Sequence, residues 1–115
     1  MKEIHVDKII EAVAKMVVDA NCNLPPDVEH AIKKAYENET SELCKDALKD
    51  ILENAKIARE KEMPICQDTG MAVFFVELGQ DVHIVGGSYQ DAFDKGVSIG
   101  YVNGYLRKST QTYEV

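Results

Sequence analysis

Apolar residues recur at helical spacing through the first half of this chain, and then the period changes. Ile4 to Val6 reads as a short extended start. From Asp7, a plausible N-cap, the positions Ile9, Ile10, Val13, Met16, Val17 and Ala20 mark one face of a first helix. Asn21-Cys22-Asn23 ends it, and Leu24-Pro25-Pro26-Asp27 makes a turn whose prolines suit the start of the next helix. Val28, Ala31, Ile32, Ala35 and Tyr36 form a second stripe. Thr40 or Ser41 caps a third helix with the face Leu43, Ala47, Leu48, Ile51, Leu52, Ala55 and Ala58. Its charged end, Lys56 to Glu62, leaves the core, and Met63 before Pro64 disfavours further helix.

Beyond Pro64 the helical period is lost. Met71-Ala72-Val73-Phe74-Phe75-Val76-Glu77-Leu78 is apolar on both parities, the pattern of a strand covered on both faces. Gly79-Gln80-Asp81 reads as a turn and Val82 to Val85 as the second strand of a hairpin. Gly86-Gly87 ends the hairpin. A fourth helix is expected from about Tyr89 to Leu106, with Ala92, Phe93, Val97, Tyr101 and Tyr105 inward. Gly96, Gly100 and Gly104 share one face of that helix. Glycine costs stability inside a helix, so this face makes sense only where something packs very close against it. The expected fold is α+β: a helical N-terminal half, a β-hairpin of a small antiparallel sheet, and a C-terminal helix, in a single domain spanning residues 1–115. No repeat, low-complexity stretch or linker interrupts it.

Composition narrows the classes of function. The chain has 115 residues, 29% of them charged, enough for one modest core and too apolar for disorder. The formal net charge of -7 argues against nucleic acid and anionic membrane as partners, since both select basic surfaces. A small dianion stays admissible, because one local cation outweighs a diffuse field at close range. No apolar run is long enough to span a bilayer, and no signal peptide is evident. Three cysteines without a secretory signal suggest reduced thiols and a cytoplasmic setting.

Chemistry concentrates in Pro64-Ile65-Cys66-Gln67-Asp68-Thr69-Gly70. This heptapeptide sets a soft metal ligand, an amide, a carboxylate and a hydroxyl beside a flexible glycine, between a long helix and the most apolar run. The residues alone also allow a structural reading: a helix stop at Pro64, a small buried Cys66 and an Asx-type turn at Asp68. Cys22 and Cys44 read as small buried hydrophobes. His5, His30 and His83 form no metal-binding spacing, and neither a phosphate loop nor a dinucleotide fingerprint is present. Arg107 by itself reads as a solvated side chain favourable at a helix C-terminus.

The heptapeptide PICQDTG resembles the cluster-binding loop of the iron–sulfur-dependent class I fumarate hydratases and the related L(+)-tartrate dehydratases. Gly104-Tyr105-Leu106-Arg107-Lys108-Ser109 resembles the LR-x-S ending that follows in their alpha subunits, with Lys108 where the family usually has Pro. Most of the chain is similar to the start of that subunit, which continues well past Val115.

The resemblance implies a hydro-lyase that interconverts fumarate and (S)-malate, a step of the tricarboxylic acid cycle, with L(+)-tartrate dehydration as the alternative. It implies that Cys66 is one of three cysteines holding a 4Fe–4S cluster, the other two lying outside this chain. It places Gln67 and Asp68 at the substrate, Asp68 handling the proton on the hydroxyl and Gln67 orienting hydroxyl or carboxylate. Arg107 then clamps a substrate carboxylate, and Thr69, Gly70 and Ser109 support the site. The implied partners are the remainder of the alpha subunit, a beta subunit or C-terminal domain, a small dicarboxylate, and further copies in an oligomer. The isolated 115 residues should then be inactive. A reading of another class treats the glycine face and the hairpin as docking surfaces of a non-catalytic interaction module, with Cys66 a bystander.

Overall fold

A computed structural model describes residues 2–106. In order along the chain come β1 (Lys2–His5), α1 (Val6–Cys22), α2 (Pro26–Asn38), α3 (Glu42–Lys61), β2 (Val82–Val85) and α4 (Tyr89–Asn103). This is the expected α+β arrangement, with helices dominating the N-terminal half, a small sheet and a C-terminal helix.

The helix boundaries follow local chemistry. Ser41 caps α3 and Ser88 caps α4, each hydroxyl accepting a backbone N–H of the first turn at 3.4 Å. Pro26 occupies the first position of α2. At α1 the cap is His5, not Asp7: Nδ1 of His5 accepts the Asp7 backbone N–H at 3.1 Å. Helix α3 closes with Glu62 in the left-handed region, φ 52°, while the Met63 N–H donates to the Ala58 carbonyl at 2.9 Å. Pro64 follows directly, so the chain must leave the helix here.

The sheet corrects one expectation. It has two strands, and β2 pairs in parallel with β1, in the register Lys2↔Val82, Glu3↔His83, Ile4↔Ile84 and His5↔Val85. Parallel pairing needs a long crossover, here the whole stretch carrying α1, α2 and α3. The run Met71–Leu78 has no regular secondary structure, so the hairpin does not form among the described residues. Alternation in sequence marks a segment as strand-like but does not choose its neighbour, and β2 takes the N-terminal segment instead.

Helices α1 and α4 build the core. Val13, Val17, Tyr101 and Leu106 are buried at its centre, flanked by Ile9, Val18, Phe74, Phe93 and Val97. The glycine face is the reason these helices approach so closely. A Cβ on Gly96 would lie 2.7 Å from Val13 Cβ, and one on Gly104 2.9 Å from Val18 Cγ2. At Gly100 it would run into Val17 Cγ2 and stand 2.7 Å from the Ala14 carbonyl oxygen. The close neighbour that the three glycines require is therefore α1. Of the residues expected inward on α4, Ala92 and Tyr101 are buried and Tyr105 is exposed.

Helices α2 and α3 pair with each other, and α3 also touches α1. Arg59 Nη1 lies 3.5 Å from Glu29 Oε2, and the Lys45 ammonium stands 5.0 Å above the Tyr36 ring. Ala55 and Ala58 are buried on α3, whereas no residue of α2 is fully buried and Leu43, Ala47 and Ile51 are exposed. The two apolar stripes are wider than the surface these residues offer them. The radius of gyration is 18.1 Å, against about 13 Å for a compact chain of this length.

Candidate active-site loop

The PICQDTG heptapeptide begins where α3 stops, and its first part is held from both sides. The Ile65 N–H donates to the Asn21 carbonyl at the end of α1, at 2.8 Å. The Ile65 carbonyl accepts from Asn54 Nδ2 on α3, at 2.7 Å. Both backbone polar groups of Ile65 are thus satisfied by helices, and the residue beside the thiol is fixed to the scaffold. Asn21 is itself held, its Nδ2 donating to the Val17 carbonyl at 2.7 Å.

Beyond Ile65 the loop folds on itself. The Asp68 N–H points to Cys66 Sγ at 3.5 Å, and the Gly70 N–H donates to Asp68 Oδ1 at 3.1 Å. The second of these is the Asx-type turn that the residues suggested. Gly70 takes φ +66°, a conformation favouring glycine, and a Cβ there would meet no atom within 4 Å. It is therefore the backbone turn, with no neighbour in close approach, that calls for glycine at this position.

Cys66, Gln67 and Asp68 are all exposed, and Thr69 is half-buried. Three consecutive residues thus present a sulfur donor, an amide and a carboxylate to solvent from a loop anchored at its root. Cys66 is not the small buried residue of the structural reading. Arg107 and Ser109 lie outside the described residues.

The other cysteines separate by environment. Cys22 is buried at the end of α1, and burial, reinforced by the negative charges of Glu62 and Asp19, pushes its thiol pKa up. Cys44 is exposed on α3, not buried as expected. Among the described residues, no three His, Cys, Asp or Glu side chains group so as to hold a metal ion. No helix among them is long and apolar enough to cross a membrane.

The anchors of the loop are not evident as site residues in the sequence, where Asn21 reads only as part of a helix end. Asn21 and Asn54 position Ile65, and the only signal either gave was a polar residue at a helix end or between the apolar positions Ile51 and Ala55.

The family model for fumarate hydratase (Fumerase) matches residues 10–114, and the chain belongs to that family. Its relatives are named for the addition or removal of water. The putative L(+)-tartrate dehydratase subunit alpha of Methanocaldococcus jannaschii is 42% identical over 76 residues, 66% of this chain and 27% of the relative. The putative class I fumarate hydratase of Geobacillus stearothermophilus is 30% identical over 105 residues, 90% of this chain and 20% of the relative. The L(+)-tartrate dehydratase subunit alpha of Escherichia coli is 32% identical over 106 residues, 92% of this chain and 35% of the relative. The chain thus spans between a fifth and about a third of the length of these relatives.

Proposed function

We propose that this chain is the N-terminal segment of a hydro-lyase that interconverts fumarate and (S)-malate, and that the PICQDTG loop is its contribution to the active site. The observation that carries the reading is the presentation of Cys66, Gln67 and Asp68 together on one exposed loop, rooted in two helices, in a member of the fumarate hydratase family. A loop without chemistry would have no need to keep a thiol, an amide and a carboxylate in water beside one another.

The loop suits a 4Fe–4S cluster as one of several ligands. Its thiol is exposed, and a backbone N–H already points to the sulfur, as favours a thiolate bound to iron. Cys66 would hold one iron. Cys22, buried among acidic neighbours, does not suit the same role, and neither it nor Cys44 groups with Cys66 as a metal-holding set among the described residues, so the remaining ligands are assigned to polypeptide outside these residues. The cluster, when bound, supplies a Lewis acid for the substrate hydroxyl.

The chain's own residues do the rest of what is proposed. Asp68 takes or gives the proton at the hydroxyl oxygen, with its orientation fixed by the Gly70 N–H on Oδ1. Gln67 offers an amide to orient hydroxyl or carboxylate. Arg107 supplies a bidentate partner for a carboxylate. The base that acts on carbon is assigned outside the segment, as are the partner subunit or domain and the oligomer.

L(+)-tartrate is the second substrate reading, favoured by the two tartrate dehydratase relatives. The two share the chemistry of a 2-hydroxy dicarboxylate and place the same demands on this loop. The test is anaerobic reconstitution of the intact protein with iron and sulfide, followed by hydration of fumarate and dehydration of (S)-malate and L(+)-tartrate. Turnover of either pair supports the reading, with the faster pair naming the substrate. Reconstituted protein that acts on neither contradicts it. The isolated 115 residues are expected to show no turnover.

A further inference from the structure

We propose that Met71–Leu78 is an interior strand of a larger sheet, and that its neighbours come from polypeptide following this region in the same subunit. The segment begins directly after the candidate loop. Among the described residues, no hydrogen bond satisfies its backbone N–H and C=O groups. A run with both edges open is a template for strand addition.

The side chains point to the same conclusion. Phe74 is half-buried, its ring 5.1 Å from that of Phe93 in an edge-to-face contact. The opposite parity, apolar up to Glu77, faces solvent: Met71 is 69% exposed, Val73 64% and Phe75 98%. Ala72, Val76 and Leu78, which share the parity of Phe74, are exposed too, so a segment apolar on both parities and held to α4 by the Phe74–Phe93 contact needs a layer over each side and a partner on each edge. Leaving Phe75 in water forfeits the burial that an aromatic side chain normally supplies.

The occupant follows from length and geometry. The relatives extend far beyond the region matched, which makes up only 20% to 35% of each. A second copy pairing symmetrically through the same strand fills one edge and leaves the other open. Downstream polypeptide of the same subunit can fill both edges and cover the outer face. Because Gly70 joins the loop to Met71, the pairing also fixes the direction in which the loop leaves the site.

The proposal rests on family membership and not on the chemistry assigned to Cys66. Two measurements on the intact subunit test it, neither involving iron or turnover. Amide hydrogen exchange in the wild-type protein should be at least ~100-fold slower across 71–78 than in an unstructured peptide. A photo-crosslinking residue at position 75 should capture residues beyond 115 of the same polypeptide. Exchange at the unstructured rate, or capture of a second copy or of a different polypeptide, overturns the proposal.

Discussion

Asn54 on α3 holds the Ile65 carbonyl at 2.7 Å, one residue before the exposed thiol of Cys66. This bond spans eleven residues and links the scaffold to the candidate site. Its partner is the bond from the Ile65 N–H to Asn21 on α1. Removing the Asn54 amide should therefore free one side of the loop root while leaving the other. Asn54→Ala should cost about 0.5–1.5 kcal/mol in urea unfolding, the usual net worth of such a bond. Faster amide exchange should be confined to residues 64–70. Asn54→Asp should cost at least as much, since a carboxylate facing a carbonyl has no proton to donate.

Gly100 of α4 has no room for a side chain against α1. Alanine is the better helix former by about 1 kcal/mol, so an open site would be stabilised by Gly100→Ala. Here the new methyl meets Val17 Cγ2 and the Ala14 carbonyl oxygen, and the net effect should be a loss of about 1–3 kcal/mol. Combining it with Val17→Ala should recover only part of the loss, because the Ala14 oxygen belongs to the backbone. A double-mutant cycle in denaturant measures the recovery.

Cys22 makes stability depend on alkaline pH. Its thiol pKa is raised in the folded chain by burial and by Glu62 and Asp19, so the folded state holds the proton more tightly than the unfolded state. The associated stability is fully present below the ordinary thiol pKa of about 8.5 and is lost as pH climbs from there through the raised value. Unfolding free energy measured across this range should fall for the wild type and fall less for Cys22→Ala. Alkylation of the native protein should label Cys44 and Cys66 well before Cys22.

Asp68 joins a structural and a proposed chemical role in one side chain, and two substitutions separate them. Asp68→Asn keeps an oxygen for the Gly70 N–H, so the turn should persist, but it removes the proton carrier. In the intact enzyme kcat should fall by about 10²–10⁴-fold, the usual range for losing a general acid or base. Asp68→Ala should show the same loss in kcat and, in addition, faster amide exchange at Gly70.

The helices were legible because their signals are local. Ser41, Pro26 and the Glu62–Pro64 stop act within a turn of where they stand, and the spacing of Gly96, Gly100 and Gly104 announced a close neighbour without naming it. The sheet was less legible. The partner of Val82–Val85 is Lys2–His5, almost the whole chain away, and nothing in alternating residues encodes so distant a pairing. Met71–Leu78 carries a strand pattern that no described residue completes. At the site, the chemical identities of Cys66, Gln67 and Asp68 were plain in the sequence. Their anchoring was not, because Asn21 and Asn54 act on the backbone of a residue far along the chain. Cys44 is exposed, against expectation, because the apolar stripe beside it on α3, Leu43 and Ala47, is itself exposed.

The most direct test of the account asks whether iron binds through Cys66. The intact protein, reconstituted without oxygen, and its Cys66→Ala variant should be compared by iron and sulfide content and by Mössbauer spectroscopy, with circular dichroism to follow the fold. The account predicts a 4Fe–4S cluster in the wild type and its loss in the variant, with helical content unchanged. A variant that retains the full iron content and an unaltered cluster spectrum would contradict it.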